Sequence, residues 1–334
     1  MSIPSLIDRA IAHGRGRDMK KDYLILIASE VIWGLLPVFW HLLDAVPAVY
    51  LLATRILWSF VFCAIVLALR HGLGEVRDVF RSRKTALTMC LSSAMVTLNW
   101  GLYIYSVTSG HMLEASLAYF INPILSVLLG AVVLGEKLTK LQMGSVLVAA
   151  AGIAISIVGY GSVPWLSLVI AASFAAYSLL KKRISIHAIT STGTESMIMT
   201  PLSLAFILFF EFSGGAVIGG TLQGWQLLLL PAAGVLTAVP LILFSRGMQG
   251  TPLSLAGILG FVSPLLQFIL GAFVYNEEVS TSRIVTFVFV WVAVCLYMIE
   301  NLRDTRVKRG NANHDRDHHG SGPDGKCDQR FRIL

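Results

Sequence analysis

Ten apolar runs, each about as long as a bilayer's hydrocarbon core requires, follow one another from Asp22 to Glu300. The stretch from Leu113 to Leu134 carries no charge beyond Glu114 at its outer end. Helices of globular proteins average about three turns, so such a run is no ordinary core helix. Lipid offers no partner to a backbone N–H or C=O, so each run must satisfy its own polar groups as a helix. The chain reads as an all-α, polytopic integral membrane protein. The predicted spans are about 22–42, 48–69, 85–106, 112–134, 140–159, 164–180, 194–212, 224–244, 252–274 and 282–300.

Residues outside the runs are few, and their charges alternate. The composition is 55% hydrophobic and 13% charged, against about 25% charged in soluble domains. Basic residues gather before the first span (Arg9, Arg15, Arg17, Lys20, Lys21) and after the second (Arg70, Arg77, Arg81, Arg83, Lys84). They recur after the fourth (Lys137, Lys140), sixth (Lys181, Lys182, Arg183), eighth (Arg246) and tenth (Arg303, Arg306, Lys308, Arg309). The intervening connections hold only Arg283. By the positive-inside rule both termini are expected to be cytoplasmic, as an even span count requires. The net charge of +7 is thus a topology signal, and no nucleic-acid partner is expected.

The segments at the two ends differ from the middle. Residues 1–21 form a cytoplasmic tail in which Ile3, Leu6, Ile7, Ala10 and Ile11 recur at helical spacing. An interfacial helix and a disordered leader both fit that pattern. No small-residue cleavage site follows the first span, which is expected to be retained. Residues 303–334 form a polar tail whose His314, His318 and His319 lie among Gly and Asp, the composition of a solvated segment. Cys63, Cys90 and Cys295 fall in apolar runs and Cys327 in this tail, which argues against a disulfide framework.

The chain also repeats itself. A shift of 141 residues places Ala115 on Ala256, Phe120 on Phe261, Pro123 on Pro264 and Leu125 on Leu266. Leu129, Gly130, Ala131 and Glu136 then fall on Leu270, Gly271, Ala272 and Glu277, without a gap. This divides the chain into five-helix repeats at 22–159 and 160–302. An odd span number inverts the second repeat relative to the first. Inverted repeats are the architecture of secondary transporters, whose substrate site lies near the midplane between them.

The stretch from His111 to Pro123, read with Gly135-Glu136-Lys137, resembles the drug/metabolite transporter superfamily. Trp33-Gly34 with Pro37, Arg55 with Trp58-Ser59, and Asn99-Trp100 are similar to the EamA-type RarD branch, over about residues 20–302. The resemblance implies a ten-helix permease of the bacterial inner membrane, and the family pattern favours an exporter. Proteins of this branch are described as chloramphenicol-sensitivity permeases, which leaves the physiological substrate open.

Polar residues inside the spans are the candidate site. Glu30 and Trp33 lie near the middle of the first span; Arg55 in the second and Asn99 in the third each lie about 5 Å to the outer side of the middle. Asn122 and Ser126 share a face at i,i+4, and their repeat mates are Ser263 and Gln267. The expected substrate-binding set is Glu30, Trp33, Arg55, Asn99, Trp100, Asn122, Ser263 and Gln267. A central charge costs about 2.5–3.5 kcal/mol on insertion scales, so Glu30 and Arg55 should face the interior. They either neutralise each other or serve separately, Arg55 orienting an anionic or polar group and Glu30 exchanging a proton. Trp33 and Trp100 fit stacking on a planar solute and packing between helices. Asn122, just before Pro123, fits a ligand contact and a freed backbone carbonyl.

The expected partners are a small-molecule solute, the bilayer and a proton as candidate coupling ion; no cofactor or metal is expected. No phosphate-binding Gly-rich loop supports ATP-driven pumping. The competing class is an intramembrane acyl or lipid-headgroup transferase using His41, Asp44, His111 and Glu114, two His-x-x-acid pairs at one membrane face.

Overall fold

The structure, a computed structural model, describes residues 19–109, 112–160, 165–275, 284–286, 288–301 and 303. Among them the regular structure is helical. The order is α1 (Met19–Trp40), α2 (Ala48–Leu69), α3 (Leu73–Arg81), α4 (Arg83–Thr108), α5 (Met112–Val133) and α6 (Lys140–Tyr160). There follow α7 (Trp165–Arg183), α8 (Ala188–Phe210), α9 (Leu229–Gly250), α10 (Leu253–Leu259), α11 (Val262–Ile269) and α12 (Ile284–Asn301). Seven helices among the described residues are long and apolar enough to cross a membrane, and 117–133 and 140–155 are shorter apolar stretches. Large apolar side chains such as Val132, Leu202 and Phe273 stay exposed on the outside of the bundle. A surface of this kind suits lipid, where apolar exposure carries no penalty.

The helices pack α2 against α8 and α9, α1 against α9 and α11, α7 against α4 and α5, and α5 against α10. Close approach needs small residues where backbones meet. A Cβ on Gly234 of α9 would lie 2.2 Å from Trp58 Cβ on α2, and one on Gly257 of α10 would lie 2.6 Å from the Pro123 carbonyl oxygen.

The ninth predicted span is broken into α10 and α11 at Gly260 and Phe261. Pro264 contributes to the break: its ring crowds the carbonyl of residue 260, and it has no N–H to bond there. Its repeat mate Pro123 sits inside the continuous α5.

We call the end bearing Met19, Arg70 and Gly250 the basic end. Three features there depart from the sequence expectation. The connection after α2 contains the short amphipathic helix α3, which buries Val79. The eighth helix, read to end at residue 244, runs on to Gly250, so Arg246 lies within it and pairs with the buried Asp22 at 3.2 Å. The seventh helix begins six residues before the expected 194, because the hydroxyl-rich stretch from Thr190 to Ser196 is helical and buried. Its polarity suggested a connection. Local bonds such as Thr194 to the Thr190 carbonyl (2.7 Å) satisfy it instead. Lys181, read as a loop charge, is fully buried by the same packing. Residues 1–18 of the N-terminal tail, residues 304–334 of the polar C-terminal tail, Glu277, Glu278 and Arg283 lie outside the described residues.

Candidate functional site

The broken helix, α1 and α5 enclose a cavity of about 510 Å³ in the middle of the bundle. Glu30, Trp33, Arg55, Asn99, Trp100, Asn122, Ser263 and Gln267 all line it. They come from five helices, which only their common depth had related. At the end away from the basic one the wall reaches Asp44, Val46 and Ala48, and the Asp44 side chain is exposed. Toward the basic end it stops at Ser178, Met248 and Leu253, the last two fully buried.

Arg55 dominates the upper wall. Its guanidinium carbon lies 4.4 Å from the ring centre of Trp40 and 5.4 Å from that of Trp100. Its Nε donates to Thr237 Oγ1 at 2.9 Å, and Thr237 in turn donates to the Ala233 carbonyl. Two indole faces and one hydroxyl hold the cation without neutralising it. No carboxylate among the described residues forms an ion pair with Arg55. The mutual neutralisation of Arg55 and Glu30 is therefore absent here. Tyr103 and Tyr119, whose rings meet edge to face at 5.5 Å, complete the electrostatic surroundings of Arg55.

Glu30 is buried in the cavity wall, also without an ion pair among the described residues. Trp33 stands edge-on to Phe174 at 6.0 Å and tilted against Phe244 at 5.3 Å. Its indole thus packs between helices while also facing the cavity. Asn99 commits its amide nitrogen to the Ile170 carbonyl (2.7 Å) and to Ser173, which ties α4 to α7. Among the described residues Asn122 receives only a long bond from Ser126, 3.5 Å. Gln267 donates to Ser263 and to the Trp33 carbonyl, both at 3.3 Å. Asn122 is thus the lining amide with the least engagement.

Sequence reading missed the aromatic lining from Trp40, Tyr103, Tyr119, Phe174 and Phe244. A signal was present for two of them: Tyr103 follows Trp100, and Tyr119 precedes Asn122, each by one helical turn. Of the two His-x-x-acid pairs, His41 Nδ1 lies 2.8 Å from Asp44 Oδ2 on an exposed turn. His111 and the Glu114 side chain lie outside the described residues.

Among the described residues, a helical bundle with an apolar exterior and a central amphipathic cavity fits a membrane transporter. The chain belongs to the EamA-like transporter family, which it matches twice, over residues 20–158 and 162–299, and within it to the RarD branch. It is 40% identical over 298 residues to the uncharacterized transporter YojE of Bacillus subtilis, covering 88% of this chain and 99% of that one. It is 37% identical over 279 residues to protein RarD of Streptomyces exfoliatus, covering 83% and 88%. A solved crystal structure of 18% sequence identity superimposes with a TM-score of 0.65 over 84% of this chain and 98% of that one, a likeness of fold. Family and relatives point to transport and not to an enzyme.

Proposed function

We propose that the protein is a secondary transporter exporting a small organic metabolite or drug with an anionic or strongly polar group on a planar body. The uncompensated Arg55 in the cavity carries this reading. A cation held by two indoles and a hydroxyl has its guanidinium fork left for a solute, and forked donors suit carboxylate and phosphate. Trp33, Phe174 and Phe244 supply apolar wall for the solute's body, while Asn122, Ser263 and Gln267 offer polar groups opposite. Glu30 is the cavity acid that exchanges a coupling proton.

Alternating access would come from two inverted five-helix repeats, at 22–159 and 160–302, within ten spans whose termini are both cytoplasmic. The packing supports this. Exchanging each helix for its counterpart turns the α1–α9 contact into α7–α4, and α1–α11 into α7–α5, and all four pairs are in contact. With the basic end cytoplasmic, the cavity described here faces outward.

The test is counterflow into proteoliposomes with phenylacetate, phenylacetamide and phenethylamine, one body bearing three charges. Preference for phenylacetate that disappears in Arg55→Ala is the expected result. Equal handling of the three solutes by the unmodified protein would refute the role of Arg55. Glu30→Gln should abolish proton coupling; unchanged coupling would remove Glu30 from the mechanism.

A further inference from the structure

A second charged centre lies off the cavity, between α2, α4, α7 and α8. Lys181 Nζ meets Glu195 Oε1 at 2.7 Å, with side-chain exposures of 0% and 5%. Lys181 also donates to Ser191 Oγ at 2.7 Å. Ser92 donates to Glu195 Oε1, and the Tyr177 hydroxyl to Oε2 at 3.4 Å. Ser93 donates to the Glu195 backbone carbonyl at 2.9 Å. Neither Lys181 nor Glu195 lines the cavity.

Stability alone does not account for such a pair. Well-packed apolar residues in place of a buried ion pair are often neutral or stabilising, and charges within a membrane bundle mark ion and proton paths. A metal cation is disfavoured here, because the Lys181 ammonium already occupies the place beside the carboxylate. A proton needs no such room. The hydroxyl-rich start of α8 leads toward the site from the basic end. Thr190 donates to Glu75, which is half-exposed at the surface and bound by Arg70 at 2.6 Å, and Ser191 one residue on bonds Lys181. Thr192 in the same stretch is buried, with its hydroxyl unpaired among the described residues.

We infer that the Lys181–Glu195 pair is a proton-exchange site, separate from the solute cavity and served from the basic end. A proton from water binds the Glu195 carboxylate, the Lys181 ammonium keeps its own, and the centre passes from net zero to one positive charge. The ion pair that joins α7 to α8 is then lost. Tyr177 carries the change to the cavity, since its ring stacks on Phe244 at 6.0 Å and 9°, and Phe244 lines the wall. The titratable groups facing Glu195 are Lys181 and Tyr177 of α7 and Cys63 of α2; α4 offers the Ser92 and Ser93 hydroxyls.

The transport half of this inference rests on the function proposed above; the titration half does not. The full chain in lipid nanodiscs, with glutamate carboxyls isotopically labelled, is titrated from neutral to acidic pH by infrared spectroscopy. A Glu195-dependent component of the protonated-carboxyl band should appear on acidification, persist in Glu30→Gln, be lost in Glu195→Gln, and form at higher pH in Lys181→Met. Absence of any band that depends on Glu195 would overturn the site. In proteoliposomes, Glu195→Gln should reduce phenylacetate accumulation driven by a pH gradient to the level of empty vesicles while sparing gradient-free counterflow. Gradient-driven accumulation equal to wild type would overturn the coupling. Should the transport reading itself be wrong, wild type would move no solute while the Glu195 band still titrated. The double variant Lys181→Met with Glu195→Met guards against misfolding, since it removes both charges and should fold without the Glu195 component of the band.

Discussion

Glu136 closes the basic end, and its removal should open it. Its two carboxylate oxygens accept the backbone N–H groups of Leu253 (2.6 Å) and Ser254 (2.8 Å), the first donors of α10. The residue before them is Pro252, which provides no side-chain cap. Glu136 therefore does the work of an N-cap from a distant part of the chain, across the cavity floor at Leu253. Loss of a cap costs about 0.5–2 kcal/mol, and a negative charge at a helix N-terminus adds about 0.3–1 kcal/mol. A net loss of one or two kcal/mol shifts a two-state equilibrium by a factor of about 5–30. Ser254→Cys, in a background where the native cysteines are replaced, reports the opening through its labelling rate with a water-soluble maleimide. Ser254 is buried and absent from the cavity lining, so labelling requires the floor to part. Glu136→Ala should accelerate labelling by about that factor, and Glu136→Gln, which keeps one acceptor oxygen, by less. A rate unchanged by Glu136→Ala would show that the floor is held by other contacts, such as Lys182 Nζ on the Thr251 carbonyl.

Two further outcomes follow from packing and charge. Gly234→Ala forces a Cβ against the Trp58 backbone and should destabilise the bundle by about 1–3 kcal/mol, whereas Gly101→Ala, with nothing within 4 Å of its Cβ, should be neutral or slightly stabilising; thermal unfolding in detergent distinguishes them. At the basic surface, the Thr190 hydroxyl and then Arg70 hold the Glu75 carboxyl below its usual range, while burial and then the Arg70 charge push His187 down. Both groups bind protons less readily folded than unfolded, so their contributions are complete above their unfolded values and are lost as pH falls. Melting temperature should therefore drop on acidification from neutral pH. His187→Asn should remove the part of that drop that begins near the ordinary histidine value, and Glu75→Gln the part at carboxylate pH; an unaltered profile in both variants would refute the assignment.

The legible parts of this protein were those that lipid imposes. Helices in a bilayer must be long and apolar, so the places of the seven long apolar helices among the described residues could be read with no knowledge of their neighbours. Polar residues at one depth, such as Arg55, Asn122 and Gln267, had few places to go but inward, and they share one cavity. Illegible were features set by contact between helices. The start of α8 looked like a loop because Thr190 to Ser196 is polar, yet neighbouring helices bury it and its hydroxyls turn back on the helix. Lys181 looked like a topology charge because its partner Glu195 lies beyond a turn that the sequence placed outside the membrane. The break at Gly260 was foreshadowed by Pro264, but Pro123 has the same chemistry inside a continuous helix. Only packing distinguishes the two prolines.

The contrast between the two charged centres bears on how such a carrier would avoid running empty. Lys181 has a carboxylate partner at 2.7 Å that offsets part of the cost of its burial. Arg55 has indoles and a hydroxyl, and no carboxylate within ion-pair distance among the described residues. While the cavity is open, water solvates its free fork. Occluding an empty cavity would strip that water and leave a bare cation in a low-dielectric bundle, a penalty of several kcal/mol. An anionic solute would remove the penalty by pairing with the fork as water leaves. On the proposed reading the loaded carrier therefore closes more readily than the empty one, and the selectivity of the site and the tightness of its coupling have a single electrostatic origin.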